Sequence, residues 1–534
     1  MAAMIDDSRT LDETAVARSH SLGDLLGRTA ARTPHKAALI WRDATDTFAE
    51  LDAAVNRMAH SLSERGVDRG DRIAVFSHNC RDFVTVYFAL AKLGAISVPI
   101  NFMLGADEVA YVLDHSGATG IVAEDALTDV ADEAMRSVPA AGAIKGCIDL
   151  SDDAPRAGWE PVESWYEHSD EGDPGIVVGD DDPIQLMYTS GTESRPKGAI
   201  MTSRMLLAQY VGCIVDGGMS EDDVEAHALP FYHCAQLHCF LTPDIYLGAT
   251  SIVLPGPDPA TLLATVQEHR VTKLFCPPTV WISLLRSPAF DTTDLSSLRK
   301  GYYGASPMPA EVLRELSQRL PEVRLWNFYG QTEMSPLATI LRPREQLTRI
   351  GSAGRPSINV ETQVVDDDGA PVPTGTVGEV VHRSPQATLG YWNDPERTAE
   401  AYRHGWFHSG DLGVMDADGY LAIVDRKKDM IKTGGENVAS REVEEALYEH
   451  PDIAEVAVCG VPHPHWIDAV AAFVVPKPGT TPSEEALMEH ARGRLAGFKV
   501  PKYIRIAASL PKNPSGKVLK RALRDEHADL AAEV

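Results

Sequence analysis

Short apolar runs alternate with amphipathic helical stretches from about Leu22 to Tyr329. The segment 72–77 (Arg-Ile-Ala-Val-Phe-Ser) has the length and β-branched character of a strand. Segment 81–93 carries helical spacing, and 95–99 reads as the next strand. The same rhythm places strands at 186–188, 251–254, 273–276, 300–303 and 323–328, with helices at 259–270, 279–286 and 309–320. Strand–helix alternation of this kind predicts α/β layers around largely parallel sheets. Two such regions are expected, roughly 20–190 and 191–330, with 141–182 as an Asp-, Gly- and Pro-rich surface excursion.

From Gly351 the pattern changes. Gly and Pro recur, and strands shorten to 361–365, 378–383 and 420–425, which predicts an antiparallel β unit. A compact α/β segment follows Asp425. Its helices are expected near 441–450 and 483–495, its strands at 455–459 and 470–475, and a fraying helix over 525–534.

The chain has 534 residues, 44% of them apolar, enough for several domains with large cores. No apolar run approaches the ~20 residues that span a bilayer. The polar, acidic start lacks a secretory pattern, so a cytoplasmic location is expected. The seven cysteines are scattered without C-x-x-C spacing, which predicts buried free thiols rather than disulfides or structural zinc. His233, Cys234, His238 and Cys239 cluster, but without metal-site spacing. A formal charge of −28 argues against nucleic acid or an anionic membrane surface as partner. The basic clusters, 426–428 and 512–524, suit an anionic ligand instead.

Segment 188–198, Tyr-Thr-Ser-Gly-Thr-Glu-Ser-Arg-Pro-Lys-Gly, follows a strand. Its hydroxyls (Thr189, Ser190, Thr192), Gly191 and Lys197 are the mixture a phosphate loop needs: close backbone approach, donors, and a cation. It is not a Walker loop. Segment 327–333, Asn-Phe-Tyr-Gly-Gln-Thr-Glu, closes another strand, where α/β folds bind nucleotides. Tyr329 offers a stacking face, Thr332 a hydroxyl, and Glu333 a hard oxygen for magnesium bridging phosphates. Further motifs are Gly-Tyr-Tyr-Gly-Ala-Ser-Pro-Met-Pro (301–309), Trp-Phe-His-Ser-Gly-Asp (406–411), Asp-Arg-Lys-Lys-Asp-Met-Ile-Lys-Thr-Gly-Gly-Glu-Asn (425–437) and Pro-Lys-Asn-Pro-Ser-Gly-Lys (511–517).

In this order, and over nearly the whole chain, these motifs resemble the adenylate-forming superfamily of acyl-CoA synthetases, peptide-synthetase adenylation domains and beetle luciferases. The look is nearest to bacterial fatty-acyl-CoA synthetases. The resemblance implies a large N-terminal domain (1–427) of two α/β subdomains plus a small β-barrel (about 351–424). A small mobile α+β C-terminal domain (428–534) would hinge at Lys428. It implies that Thr189 to Lys197 hold phosphates, and that Gly304, Ala305 and Ser306 lie against adenine and the acyl-pocket floor. Asn327 and Tyr329 would hold adenine, with Gly330 in the same nucleotide site. Thr332 would approach the α-phosphate and Glu333 would bind magnesium. Asp411 would accept the ribose hydroxyls, helped by Arg426. Lys517 matches the catalytic lysine of adenylation, His233 a gate beside the acyl site, and Gly434 and Gly435 the loop lining a pantetheine tunnel.

The implied activity is ATP- and magnesium-dependent activation of a hydrophobic carboxylic acid, followed by thioester formation with coenzyme A. A fatty acid and an aryl acid compete as substrate. An amine, a carrier-protein thiol or an inorganic anion stays open as acceptor, a non-catalytic nucleotide-binding protein is the remote alternative, and a homodimer is compatible. Two departures from the family pattern stand out. Glu193-Ser194 replaces Thr-Gly in the phosphate loop, and Ala305 replaces a glycine.

Overall fold

The computed structural model describes residues 14, 17–151, 156–189, 196–513 and 517–530. Local chemistry sets the element ends. The helix Arg81–Leu93 starts where the Cys80 thiol accepts from the Phe83 N–H, and stops at Gly94, whose φ of 66° supplies the left-handed cap. Every residue from Phe83 to Leu93 is buried, so this helix is core rather than surface. Its single charge there, Lys92, is neutralised by Asp52 at 2.9 Å and held by Asn56 at 2.6 Å. That pairing meets the rule that buried charge must be matched.

Two sheets dominate. The first has seven strands in the order Glu160–Pro161, Ile144–Ile148, Gly120–Glu124, Arg72–Phe76, Ile96–Pro99, Pro183–Thr189 and Lys197–Thr202. It is parallel except for its last pair, in which Thr189 faces Lys197. The second has nine strands, with Lys300–Gly304 and Arg324–Gly330 parallel neighbours near its middle. The α/β class is as expected, but the division is not a simple cut near residue 190. The hairpin Ala37–Thr47 joins the second sheet, with Leu39 opposite Ser251, and Lys197–Thr202 closes the first. A strand's pattern announces its burial, while its partner is chosen by long-range packing. The 141–182 excursion also has to be corrected. Ile144–Ile148 is an inner strand and Trp165 is fully buried.

The antiparallel unit has five strands, among them Glu361–Val365, Gly378–Arg383, Trp406–Met415 and Leu421–Arg426. Its strands follow an open path and do not close into the expected barrel. A last five-stranded sheet begins at Ile431–Thr433 and is centred on the pairing of Ile453–His463 with Ile467–Pro476. The passage between these sheets falls between Arg426 and Ile431. Among the described residues the last helix is Lys520–Glu526, and Leu530 beyond it is buried; residues 531–534 of the expected fraying helix lie outside the described residues. All seven cysteines are free and buried. No helix among the described residues is long and apolar enough to cross a membrane.

Candidate active site

A cavity of about 960 Å³ opens at the carboxyl ends of Lys300–Gly304 and Arg324–Gly330. Its wall includes Gly304, Ala305, Ser306, Asn327, Tyr329 and Gly330. Asp411, Arg426, Lys428 and Lys517 line it as well. Two of the glycines are steric necessities. A Cβ on Gly304 would lie 2.3 Å from the Phe328 carbonyl oxygen, and one on Gly330 would lie 1.8 Å from that of Pro336. Any side chain there would force the strand ends apart.

Ala305 occupies the left-handed region, with φ of 63°. That conformation costs an L-residue ~1–2 kcal/mol. The departure from glycine is therefore a backbone strain as well as an added methyl on the wall. Ala305→Gly is expected to raise stability by about 1 kcal/mol, read as a higher denaturant midpoint at unchanged slope. A lowered midpoint would contradict the strain.

Asp411 is buried and already organised. Its Oδ2 accepts from the Tyr329 hydroxyl at 2.6 Å, its Oδ1 lies 3.4 Å from Arg426 Nε, and its N–H donates to Ser409 Oγ at 3.0 Å. Burial, then the adjacent Asp411 charge, pushes the Tyr329 phenol far above its usual range, so it stays a donor. Asn327 Nδ2 donates to the Ser352 carbonyl at 3.2 Å.

Glu333 is anchored by a tyrosine beside Lys197. Its Oε1 accepts from Tyr391 Oη at 2.8 Å, and Lys197 Nζ sits 4.9 Å from the centre of that tyrosine ring. Thr189 ends the strand opposite Lys197. Ser190, Gly191, Thr192 and the Glu193-Ser194 departure lie outside the described residues. Thr332 Oγ1 lies 3.3 Å from Cys234 Sγ. His233, beside it, caps the short helix Cys234–Gln236, with Nδ1 accepting from the Ala235 N–H at 3.2 Å. Burial, aided by the Lys517 charge, lowers the His233 pKa to about 4, so the ring is neutral near pH 7.

Lys517 comes from the C-terminal sheet region. Its N–H donates to Asn513 Oδ1 at 2.8 Å, and its carbonyl accepts from the Asn513 N–H at 2.9 Å. Asn513 and Lys517 both line the cavity. Desolvation first, and Arg426 second, lower the Lys517 pKa to about 8. Gly434 and Gly435 form the turn between Ile431–Thr433 and Glu436–Val438, with φ of 60° and 88°. The Gly434 N–H donates to the Trp466 carbonyl at 3.0 Å, and neither glycine is on the cavity wall. The structure thus brings Lys517 to the site and leaves the glycine turn outside it.

Several supporting residues were not found from sequence. Tyr391 is one. Asn79 is another: its Nδ2 donates to the Leu229 carbonyl at 2.7 Å and its Oδ1 accepts from the Phe231 N–H at 2.8 Å. It thereby clamps the loop leading to His233 from 150 residues away. Gln236 ties the same loop to a buried charge group, with Nε2 at 2.8 Å from His227 Nδ1. In that group Lys273 lies 2.9 Å from Glu225 and contacts Asp244. Neither amide carries a local signature of these contacts, so only the fold discloses them.

Comparison with known proteins agrees with this geometry. The family model for the AMP-binding enzyme matches residues 26–392, and that for the AMP-binding enzyme C-terminal domain matches 442–517. A feruloyl-CoA synthase from Amycolatopsis sp. is 38% identical over 95% of this chain and 99% of its own. The long-chain-fatty-acid–CoA ligase FadD13 of Mycobacterium tuberculosis is 32% identical over 95% of this chain and 99% of its own. The crystal structure of the anthranilate CoA ligase AuaEII in complex with anthranoyl-AMP superposes with a TM-score of 0.89 at 28% identity, covering 98% of this chain and all of that one. With its strand-end cavity, tethered Asp411 and matches over both parts, the chain belongs to the AMP-binding enzyme family as an AMP-forming acid–CoA ligase.

Proposed function

We propose that the chain uses ATP and magnesium to convert a hydrophobic carboxylic acid into an acyl-adenylate, and then transfers the acyl group to coenzyme A. The observation that carries this reading is the arrival of Lys517 in the same cavity as Asp411 and Tyr329. Adenylation is an attack of carboxylate oxygen on the α-phosphorus with pyrophosphate leaving. Two anions must meet, so fixed positive charge is the main requirement and no nucleophilic side chain is needed. Lys517 and Lys197 supply protein cations, Thr332 a hydroxyl, and the Asp411–Tyr329 pair a prearranged acceptor for ribose.

Glu333 suits magnesium. One oxygen is anchored by Tyr391, and a single carboxylate with substrate phosphates and waters is an ordinary magnesium environment. The ion would neutralise developing phosphate charge. Pyrophosphate release across fatty, aryl and short acids, with and without coenzyme A, tests the reading. Acid-dependent release with an acyl-CoA product supports it. Release with an amide or a carrier thioester as the productive outcome would replace coenzyme A as acceptor. Acid-independent turnover would overturn it.

The second half-reaction calls for a different pose. Gly434-Gly435 lies off the cavity while Lys517 lies on it, so the present arrangement suits adenylation. The proposed division is 1–427 and 428–534, with Lys428 as the hinge that exchanges the two faces. Lys428→Pro, which fixes φ near −65°, is expected to retain adenylate formation and to slow thioester formation at least about tenfold. Equal slowing of both steps would place the hinge elsewhere.

A further inference from the structure

We propose that Tyr111 and His115, on the helix Ala106–Ser116, are positioning residues for adenylation that set Lys197 and, through Tyr391, Glu333; the inference rests on the acid-activating reading above. Neither residue lines the cavity, so both act through the groups they hold. They stand four residues apart and share one face of the helix, with ring centroids 5.4 Å apart.

That face grips the sheet edge on both sides of Lys197. Lys197–Thr202 is the last strand of the seven-stranded sheet, and Pro196 in front of it has no N–H to extend the ladder. The end of the strand therefore needs support from outside the sheet. Tyr111 Oη supplies it by donating to the Pro196 carbonyl at 3.0 Å. The partner strand is held by the same helix, because His115 Nδ1 meets the Tyr188 hydroxyl at 2.8 Å. Tyr188 faces Gly198 across the pair, and a Cβ on Gly198 would lie 3.2 Å from the tyrosine ring. Both strands are thus fixed within one residue of the Thr189–Lys197 pair.

A third contact ties in the support of Glu333. His115 lies in the last turn of its helix, where carbonyls lack intrahelical partners, and its carbonyl accepts from Asn393 Nδ2 at 3.4 Å. The neighbouring Trp392 N–H donates to the Gly198 carbonyl at 2.8 Å, and Tyr391 bridges Ala199. Helix, strand end and segment 391–393 form one unit. Within it Lys197 Nζ lies 4.9 Å from the centre of the Tyr391 ring, whose hydroxyl donates to Glu333 at 2.8 Å. The cation and the carboxylate assigned to phosphate and magnesium therefore share one scaffold, and a misplacement of about 1 Å at a reacting group can cost on the order of a hundredfold in rate.

Tyr111→Phe removes one oxygen and keeps the ring, and His115→Leu removes the nitrogen that meets Tyr188. In acid-dependent pyrophosphate release, kcat/KM for ATP is expected to fall at least about tenfold in each variant. Conversion of synthetic acyl-adenylate and coenzyme A to thioester involves no pyrophosphate and should stay near the parent rate. In a Lys197→Ala background Tyr111→Phe should cost little more, because residues acting through one group are not additive. Pyrophosphate release near the parent value in the two single variants, equal loss in both half-reactions, or additive losses with Lys197→Ala would overturn the assignment. If His115→Leu fails to fold, Tyr111→Phe alone decides. A working parent with indifferent variants sinks only this inference, whereas a parent that releases no pyrophosphate with any acid sinks the acid-activating reading as well.

Discussion

Lys517→Ala is expected to lower adenylate formation by at least a hundredfold while leaving conversion of synthetic acyl-adenylate and coenzyme A to thioester near the parent rate. A positioned donor at developing transition-state charge is typically worth about 10²–10³ in rate. Lys517 is the cation that the C-terminal part inserts beside Asp411 and Arg426, and it has no role once phosphoryl charge has left as pyrophosphate. Its pKa of about 8 gives the effect a pH signature. The charged form is the useful one. In the enzyme without nucleotide that form is lost as pH rises through about 8, so kcat/KM for ATP should fall on the alkaline side. Lys517→Arg keeps its charge at every accessible pH and should remove that limb, whatever it does to the rate. Equal loss of both half-reactions in folded Lys517→Ala would contradict the assignment.

Glu333→Gln is expected to reduce adenylation by about a hundredfold with the fold intact. The substitution keeps shape and the Tyr391 contact but removes the negative charge that would share magnesium with the phosphates. Raising magnesium should recover part of the loss, because the ion retains its phosphate ligands. Near-parent pyrophosphate release at low magnesium would move the metal elsewhere.

Much of this was legible in the chain. Helix Arg81–Leu93 and strands Glu361–Val365 and Gly378–Arg383 occur where the apolar pattern puts them. Each is a local amphipathic or alternating segment with a clear terminator. Trp406–Met415 is not legible as a strand, because Gly410 and Asp411 interrupt its apolar alternation. Yet it carries Asp411 to the site, which shows polar chemistry displacing the local signal. Strand partners were also hidden, as the Leu39–Ser251 register illustrates. For the site, the strand-end motif singles out Tyr329 and Glu333, while Asp411, inside Trp406–Met415, and Lys517, in a Pro- and Gly-rich segment, are singled out only by the family resemblance. The motifs do not mark Tyr391 or Asn79, whose contacts reach across 58 and 150 residues respectively. Ala305 was legible as an added methyl but not as strain, because φ is not written in a residue name.

Acid activation through an adenylate followed by transfer to a thiol is tested most directly by mass spectrometry of the products formed from ATP, magnesium, coenzyme A and a carboxylic acid chosen by pyrophosphate release. Acyl-CoA and AMP are expected in equal amounts, with acyl-adenylate accumulating when coenzyme A is withheld. Formation of ADP, or AMP release that does not depend on the acid, would contradict it.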